Sequence, residues 1–388
     1  MMHKNIEIQK IIPVVIGLMI ALISLTLFIG FTAKEVPSAF DGSDPEDFPN
    51  YYFSGRRFLQ GNNVYVGIKE DVYETFGWDY AAYPADPPAG IIFFSPFSLL
   101  PYKVSWAVFS LSSVLISLGI IFFTAKKVGY STGFSSIISV IFLGSAPFLF
   151  LLKRNHMEMW LVFFAVLGWN NMKKGKEFLG GFLWGIAGVL KLFPLLWLFV
   201  TIHRNKKVFY KASALTGLLI LFSFFIVGFE NSVYFIVEII PRSNQWYGVI
   251  GNYSIISLSH ALNLSRLGWV LAVVLGCVVF YPKLWTGPVD DIFIKGVSLS
   301  LILPPLYWVN YQVLLFPCIV ILSTHVPLEK KAPRWLFLIT SLLIWGWPAD
   351  LNLANPVFNI LLSSLPPIIA TMGVFFLSHF YIYKAVKH

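Results

Sequence analysis

Charge is what this 388-residue chain has least of: Asp, Glu, Lys and Arg make up 12% of it, against 57% for hydrophobic residues. Soluble domains carry about twice that charge, so the composition excludes one and leaves an integral membrane protein. Cysteine is nearly absent too. Cys277 and Cys318 both sit in apolar runs and indicate no disulfide framework. There is no HExxH, no CxxC pair, no GxxxxGK[ST] loop and no GxSxG elbow. The seven histidines are scattered rather than spaced as metal ligands. With no segment to handle nucleotides, an energised nucleotide substrate does not fit, and a lipid-borne donor fits better.

What the chain does have is apolar runs. Ile11 to Ala33, Val104 to Ala125 and Val128 to Leu152 carry no charge and reach the roughly 20 residues that a helical span needs. With the shorter runs, about ten or eleven membrane segments are expected, an all-α polytopic fold in one domain, residues 1–388. The first run ends without a small-x-small cleavage signature and is read as a retained anchor.

The net charge of +9 does not imply nucleic acid as a partner, because basic residues of membrane proteins gather in cytoplasmic loops. Lys126-Lys127, Lys173 to Lys176, His203 to Lys211 and Glu329 to Arg334 are such connections, which puts the N-terminus in the cytoplasm. Between Lys34 and Asp86 stand ten of the nineteen acids against four Lys and Arg. Residues 34–89 are therefore read as a first external loop, directly after the first span, and 230–265 as a second. Phe178 to Val200 has basic connections on both sides and is too short for two ordinary spans, so either a short hairpin is expected, the favoured reading, or one flank lies on the other side.

In the acidic loop, Asp41, Asp44, Glu46 and Asp47 read first as a solvated surface. Asp47 differs because it leads into Phe48-Pro49-Asn50-Tyr51-Tyr52, aromatics that can sit at headgroup level and fix the depth of a carboxylate. For one of Arg56 and Arg57, snorkelling to lipid headgroups is the simpler account. A guanidinium fork also suits phosphate, so an outward Arg beside a carboxylate points to a phosphorylated lipid. Lys191 stands in an apolar run broken by Gly185, Gly188 and Pro194; it needs a partner or a polar cavity, unless it snorkels from a short hairpin. Arg154, His156 and Glu158 mark the start of a later segment, where a plain interfacial turn explains them as well as a site does. In residues 301–317, LILPPLYWVNYQVLLFP, an aromatic belt accounts for Trp308 and Tyr311. It does not account for Asn310 and Gln312, which need hydrogen-bond partners at depth. Rings with amides suit a sugar.

In order along the chain, these stretches resemble glycosyltransferase family 87, polytopic enzymes with a GT-C type fold that use polyprenyl-phosphate sugars. Asp47, Tyr51-Tyr52 and GNNVY (61–65) are similar to the family's early external Asp, Tyr pair and G-x-x-x-Y. YPADPPAGIIFFSPFSLLP (83–101) resembles its Tyr-Pro stretch, GIAGVLKLFPLLWL (185–198) its Gly-rich segment with a Lys, and GNYSIIS (251–257), with Asn252, its Asn-x-Ser element. LPPLYWVNYQVLLFP (303–317) resembles a late Ser-Pro-x-x-Trp-x-His-His element. Two departures stand out: Asn310-Tyr311 occupy the position of the family's histidine, and KRNHMEM (153–159) replaces Gly-Gln-x-Asn. The histidine's role is then vacant, moved to His156, or taken by Asn310.

The resemblance implies an inverting transfer of mannose or a related sugar from a polyprenyl-phosphate carrier to a lipid or glycan acceptor, on the outer, periplasmic face of the cytoplasmic membrane. Asp47 would be the general base. Arg57, Lys191 and Arg154 would stabilise the departing phosphate, with Tyr51, Tyr52 and Trp308 near the sugar. Arg56, His156, Asn252, Asn310 and Tyr311 complete the expected binding set. Phosphate leaves as a stable anion, so a second carboxylic acid of the glycosidase kind is not required. No cofactor is expected, and no metal, with a cation between Asp44 and Asp47 as the alternative. One rival is a lipid-linked sugar transporter or flippase, with Lys191 on a midplane path; the inverted repeat it would favour is not visible. The other is an O-antigen-ligase-like enzyme, whose main loop would come late in the chain.

Overall fold

The computed structural model describes residues 2–41, 47–79, 84–327, 329–348 and 350–383, and among them the secondary structure is helical, apart from one isolated antiparallel bridge between Asn252 and Trp308. Helix α1 (Met2–Asp41) leads into the loop helices α2 (Phe48–Leu59), α3 (Ile68–Phe76) and α4 (Pro88–Phe94). Next come α5 (Tyr102–Lys127), α6 (Thr132–Leu143), α7 (Ala146–Arg154), α8 (Glu158–Lys173), α9 (Glu177–Leu190), α10 (Leu195–Val200) and α11 (Lys206–Val227). The short helices α12 (Phe229–Tyr234), α13 (Ile240–Arg242) and α14 (Ile255–Ala261) precede α15 (Ser265–Val279), α16 (Val289–Ile302), α17 (Leu315–Leu322), α18 (Lys331–Gly346) and α19 (Pro356–Ser378).

Four helical stretches are long and apolar enough to cross a bilayer: Val14–Ser38, Tyr102–Lys127, Lys206–Val227 and Pro356–Tyr383. The α6–α7 pair, bent by 57°, makes a fifth if taken as one span. This is a multi-pass membrane protein. The other apolar runs behind the expected ten or eleven segments form shorter helices, such as Glu177–Leu190 and Ser265–Val279. They are shorter because the chain breaks at polar or proline positions, Lys191 and Pro194 after α9 and Pro304-Pro305 after α16.

Apolar side chains cover much of the outer surface, as a lipid solvent requires, and the interior buries small hydroxyls beside its apolar core. On α5, Ser105, Ser113 and Ser117 are buried while Leu111 and Leu115 are exposed; small hydroxyl side chains let helices approach closely. Helix starts away from lipid have side-chain caps: Ser131 accepts from the Phe134 amide, Asn205 from Val208 and Asn355 from Val357 and Phe358. Each satisfies backbone donors left over in a first turn.

The hairpin expected over Phe178–Val200 is present. α9 runs to Leu190, Lys191 breaks it in an extended conformation, and the chain folds back so tightly that a Cβ on Gly188 would lie 2.5 Å from Leu195. Its feet meet, since Arg204 Nε lies 3.0 Å from Glu177 Oε1. α8 orders the rest: its 16 residues span about 24 Å, with Glu158 at one end and Lys173 at the other. The Glu158 end faces a cavity of about 410 Å³.

Candidate active site

Four separate stretches bring charged side chains to that end of α8. Asp47 sits at the N-cap of α2, where Asp ordinarily bonds the first-turn amides. Here it makes no capping bond; its carboxylate reaches across to the α7–α8 turn. That turn is made by Asn155, which adopts a left-handed conformation (φ 53°) and donates its amide to the Trp106 carbonyl at 3.0 Å. Asn tolerates this conformation better than most residues, and the reversal brings Arg154, His156 and Glu158 into one cluster. Lys191 comes from the α9 break, and Asp86 from the extended segment before α4.

These groups form a chain of alternating sign. Asp47 Oδ2 is 2.8 Å from His156 Nε2, and His156 Nδ1 is 3.2 Å from Glu158 Oε1. That same Glu158 oxygen is 3.1 Å from Lys191 Nζ, which lies 3.4 Å from Asp86 Oδ1. Arg154 Nη1 also reaches Asp47 Oδ2 at 3.0 Å. Glu158 in the middle has a fully buried side chain, whereas Asp47 (32% exposed) and Asp86 (14%) line the cavity. The chain thus hides its central carboxylate and shows both terminal ones.

Burial works against the charged form of Asp47, but the hydrogen bond and charge of His156 and the charges of Arg154 and Lys191 outweigh it and bring its pKa down to about 2. Burial also opposes an imidazolium at His156, yet the Glu158 carboxylate and the hydrogen bond to Asp47 hold its pKa above the ordinary value. At Asp86 burial prevails over the attraction of Lys191 and His156, and the pKa is raised. The two carboxylates that meet the cavity are therefore in different electrostatic states, which is how one site separates two roles.

Of the residues expected from the sequence, Asp47, Tyr51, Arg154, His156, Lys191, Trp308 and Tyr311 line the cavity. Tyr51 sets its hydroxyl 3.4 Å from Lys191 Nζ and meets the His156 ring edge-on at 5.3 Å. Arg154 lies over Trp308, 5.3 Å from the ring centroid, and Lys191 over Tyr311 at 5.4 Å. Asn310 is buried behind the wall with Nδ2 3.2 Å from His156 Nδ1, while its Oδ1 has no partner among the described residues.

The other four are placed elsewhere. Tyr52 donates to the Leu100 carbonyl at 2.9 Å, away from the cavity, because successive helix residues point about 100° apart. Arg57 is consumed locally, bonded to the Asn63 carbonyl (2.7 Å), the Gly67 carbonyl (3.2 Å) and Asp71 (2.8 Å). Arg56 is exposed and does not line the cavity. Asn252 lies behind the wall as a brace: it donates to the Trp246 and Pro305 carbonyls, both at 3.1 Å, and accepts from the Tyr307 amide at 2.9 Å.

Sequence reasoning left out Asp86, passed over Glu158, and did not weigh Tyr65 or Arg242, which line the cavity. Asp86 had a signal, an acid bracketed by Pro84 and Pro87-Pro88. Glu158 looked like any acid in a first helical turn. The segment between α11 and α14 supplies an apolar wall through Phe235, Ile239 and Ile240, on a stretch that includes a π-helical turn, Phe235–Ile239. Among the described residues no group of three or more His, Cys, Asp or Glu side chains could hold a metal ion; Asp44, of the alternative Asp44–Asp47 pair, lies outside the described residues.

Compared with known proteins, the chain matches the model of glycosyltransferase family 87 over residues 85–304, more than half its length. No curated protein and no solved structure matches. The matched region includes Asp86, Arg154, His156, Glu158 and Lys191, while Asp47 precedes it and Trp308, Asn310 and Tyr311 follow it.

Proposed function

This chain belongs to glycosyltransferase family 87, and we propose that it moves a sugar, mannose or a related hexose, from a polyprenyl-phosphate carrier to a lipid or glycan acceptor, with Asp47 as the base. The observation that carries this reading is the state of Asp47. Its Oδ2 is held by Arg154 and His156, while Oδ1 makes no hydrogen bond among the described residues and Asp47 lines a cavity walled by aromatic rings.

In the proposed step the acceptor hydroxyl gives its proton to Asp47 Oδ1 as its oxygen bonds to the sugar C1 from the face opposite the phosphate. The C1–O bond to phosphate breaks, and its electron pair leaves with the polyprenyl phosphate, whose charge grows from one to two. Inversion at C1 follows from that geometry. Cations aimed where charge develops stabilise the step. Arg154 and Lys191 take that role in place of Arg57, whose guanidinium is occupied in its own loop. The leaving phosphate needs no acid to protonate it, and no cofactor is required.

The reaction face is proposed as the outer side of the cytoplasmic membrane, with the N-terminus inside. Support comes from the basic Lys126-Lys127 and Lys173 to Lys176 connections, the latter about 24 Å away along α8. Labelling of cysteines placed at Ser243 and Ser131 tests this: reagent outside should reach the first and not the second.

The test of the reaction uses membranes of a strain lacking the native protein, radiolabelled polyprenyl-phosphate mannose and an endogenous lipid extract. Wild type should transfer label, and Asp47→Asn, expressed equally, should transfer about 10² to 10⁴ times less, the range for loss of a positioned base. Equal transfer by both would remove Asp47 from catalysis; transfer by neither would remove mannose as the donor sugar.

A further inference from the structure

The chain of charges ends at the cavity twice, and the transfer step uses only one end. Asp47 serves the acceptor hydroxyl, and the phosphate leaves without an acid. Asp86 is therefore a second cavity-facing carboxylate that the reaction does not call for. Its pairing with Lys191 engages one oxygen and is the longer of that lysine's two ion pairs, 3.4 Å against 3.1 Å to the fully buried Glu158.

We propose that Asp86 reads the donor sugar, its carboxylate accepting hydrogen bonds from hydroxyls of the group being transferred. This deepens the reading above and rests on it. Three observations support it. First, Lys191 is the one hydrogen-bonding or ion-pair partner of the Asp86 side chain among the described residues, while a carboxylate offers about four acceptor sites, so capacity remains on the cavity side. Second, the backbone around Asp86 is tied down at several points. Pro87-Pro88 follow it, the Tyr65 hydroxyl donates to its backbone carbonyl at 3.0 Å, and α4 lies so close to α9 that a Cβ on Gly90 would stand 3.1 Å from the Leu190 carbonyl oxygen. A carboxylate that distinguishes hydroxyls must keep its position. Third, Lys191 couples the two halves of the donor. A phosphate drawn to Lys191 carries the sugar one bond away, beside Asp86 and among Tyr51, Tyr65 and Tyr311, which line the same space. A site that hydrogen-bonds a substrate hydroxyl rejects the analogue lacking it, because its own polar group is then left unpaired.

The experiment uses the full-length protein in lipid nanodiscs with undecaprenyl phosphate bearing mannose, glucose or galactose, and then the best of these with single hydroxyls removed. Wild type should prefer the parent over at least one deoxy donor by about 100-fold or more in kcat/KM. Asp86→Asn should bring that ratio below about tenfold, chiefly through a higher KM for the parent. Asp86→Glu keeps the charge beside Lys191 but displaces the carboxylate, and should collapse the ratio in the same way. If either folded variant lowers transfer from parent and deoxy donors by one common factor, or if wild type discriminates against no deoxy donor, the assignment is overturned. Transfer of none of the three sugars by wild type would instead overturn the proposed reaction, and this inference with it.

Discussion

Charge is buried at both ends of α8, and the two clusters differ in what they leave available. At the Glu158 end, the terminal carboxylates of the chain from Asp47 to Asp86 line a cavity. At the Lys173 end, α16 carries Asp290 and Asp291. Asp290 accepts from Trp169 Nε1 at 2.7 Å and from Lys173 at 3.1 Å. Asp291 and Lys295, one turn apart and with fully buried side chains, meet at 2.6 Å. Lys295 also donates to the Leu284 carbonyl at 2.9 Å and lies 3.1 Å from His379 Nδ1, and Ser378 donates to Asp291 Oδ1 at 2.6 Å. These bonds tie α16 to α19 and are directed inward. Burial of charge alone therefore does not mark a site in this protein. Acceptor capacity turned toward space does.

The sharpest way to break the comparison is to remove one charge from each cluster. Asp47→Asn should cut transfer by about 10² to 10⁴ and lower stability less than a break in the α16 cluster does, because Asp47 is partly open to the cavity. Lys295→Met should do the reverse: an uncompensated Asp291 costs about 3 to 5 kcal/mol, read as a lower unfolding temperature and poor recovery in detergent, with donor KM unchanged in the molecules that fold. The double variant Asp291→Leu with Lys295→Met should regain most of that stability. A Lys295→Met protein that folds normally but transfers nothing would place this cluster in the catalytic machinery and end the distinction.

A pH profile sharpens it further. The His156 pKa is raised in the folded protein, so the contribution of its imidazolium is complete below about 6.5 and is lost as pH rises through the folded value. Transfer by wild type should fall along that alkaline limb as Asp47 loses its clamp, and His156→Gln, slower throughout, should lack the limb. Asp47 behaves oppositely: its lowered pKa gives a contribution present above the ordinary 3.8 and lost toward about 2, so it adds no slope between pH 5 and 9. A limb of the same shape in His156→Gln would assign it to another group.

The smallest effects lie at the end of α2. Arg57→Gln removes bonds to two carbonyls and to Asp71 and should cost about 1 to 2 kcal/mol with donor KM unchanged. Arg56→Gln should change neither stability nor transfer. A selective rise in donor KM in either variant would restore that arginine as a phosphate contact.

Much of the fold was legible because hydropathy is a local property: apolar runs without charge mark helices that lipid can accept, and a Lys among broken helices marks a polar cavity. The candidate site was legible in part. Asp47, Arg154, His156 and Lys191 each stood out, yet Asp47 meets its partners across 107 and 109 positions of sequence, and nothing local pairs them. Glu158 and Asp86 were underweighted because an acid in a first helical turn or a proline-rich loop has an ordinary explanation, and only their shared contact with Lys191 changes it.

By itself, then, the sequence determined a helical multi-pass membrane protein of glycosyltransferase family 87, since composition, hydrophobic run length and ordered motifs need no knowledge of what touches what. The tertiary structure alone decided that Tyr51 and not Tyr52 meets the cavity, that Arg57 is spent on its own loop, and that two carboxylates rather than one line that cavity. The physical reason is directional: neighbours on a helix point about 100° apart, and a charge takes its role from partners that the fold brings in from elsewhere in the chain.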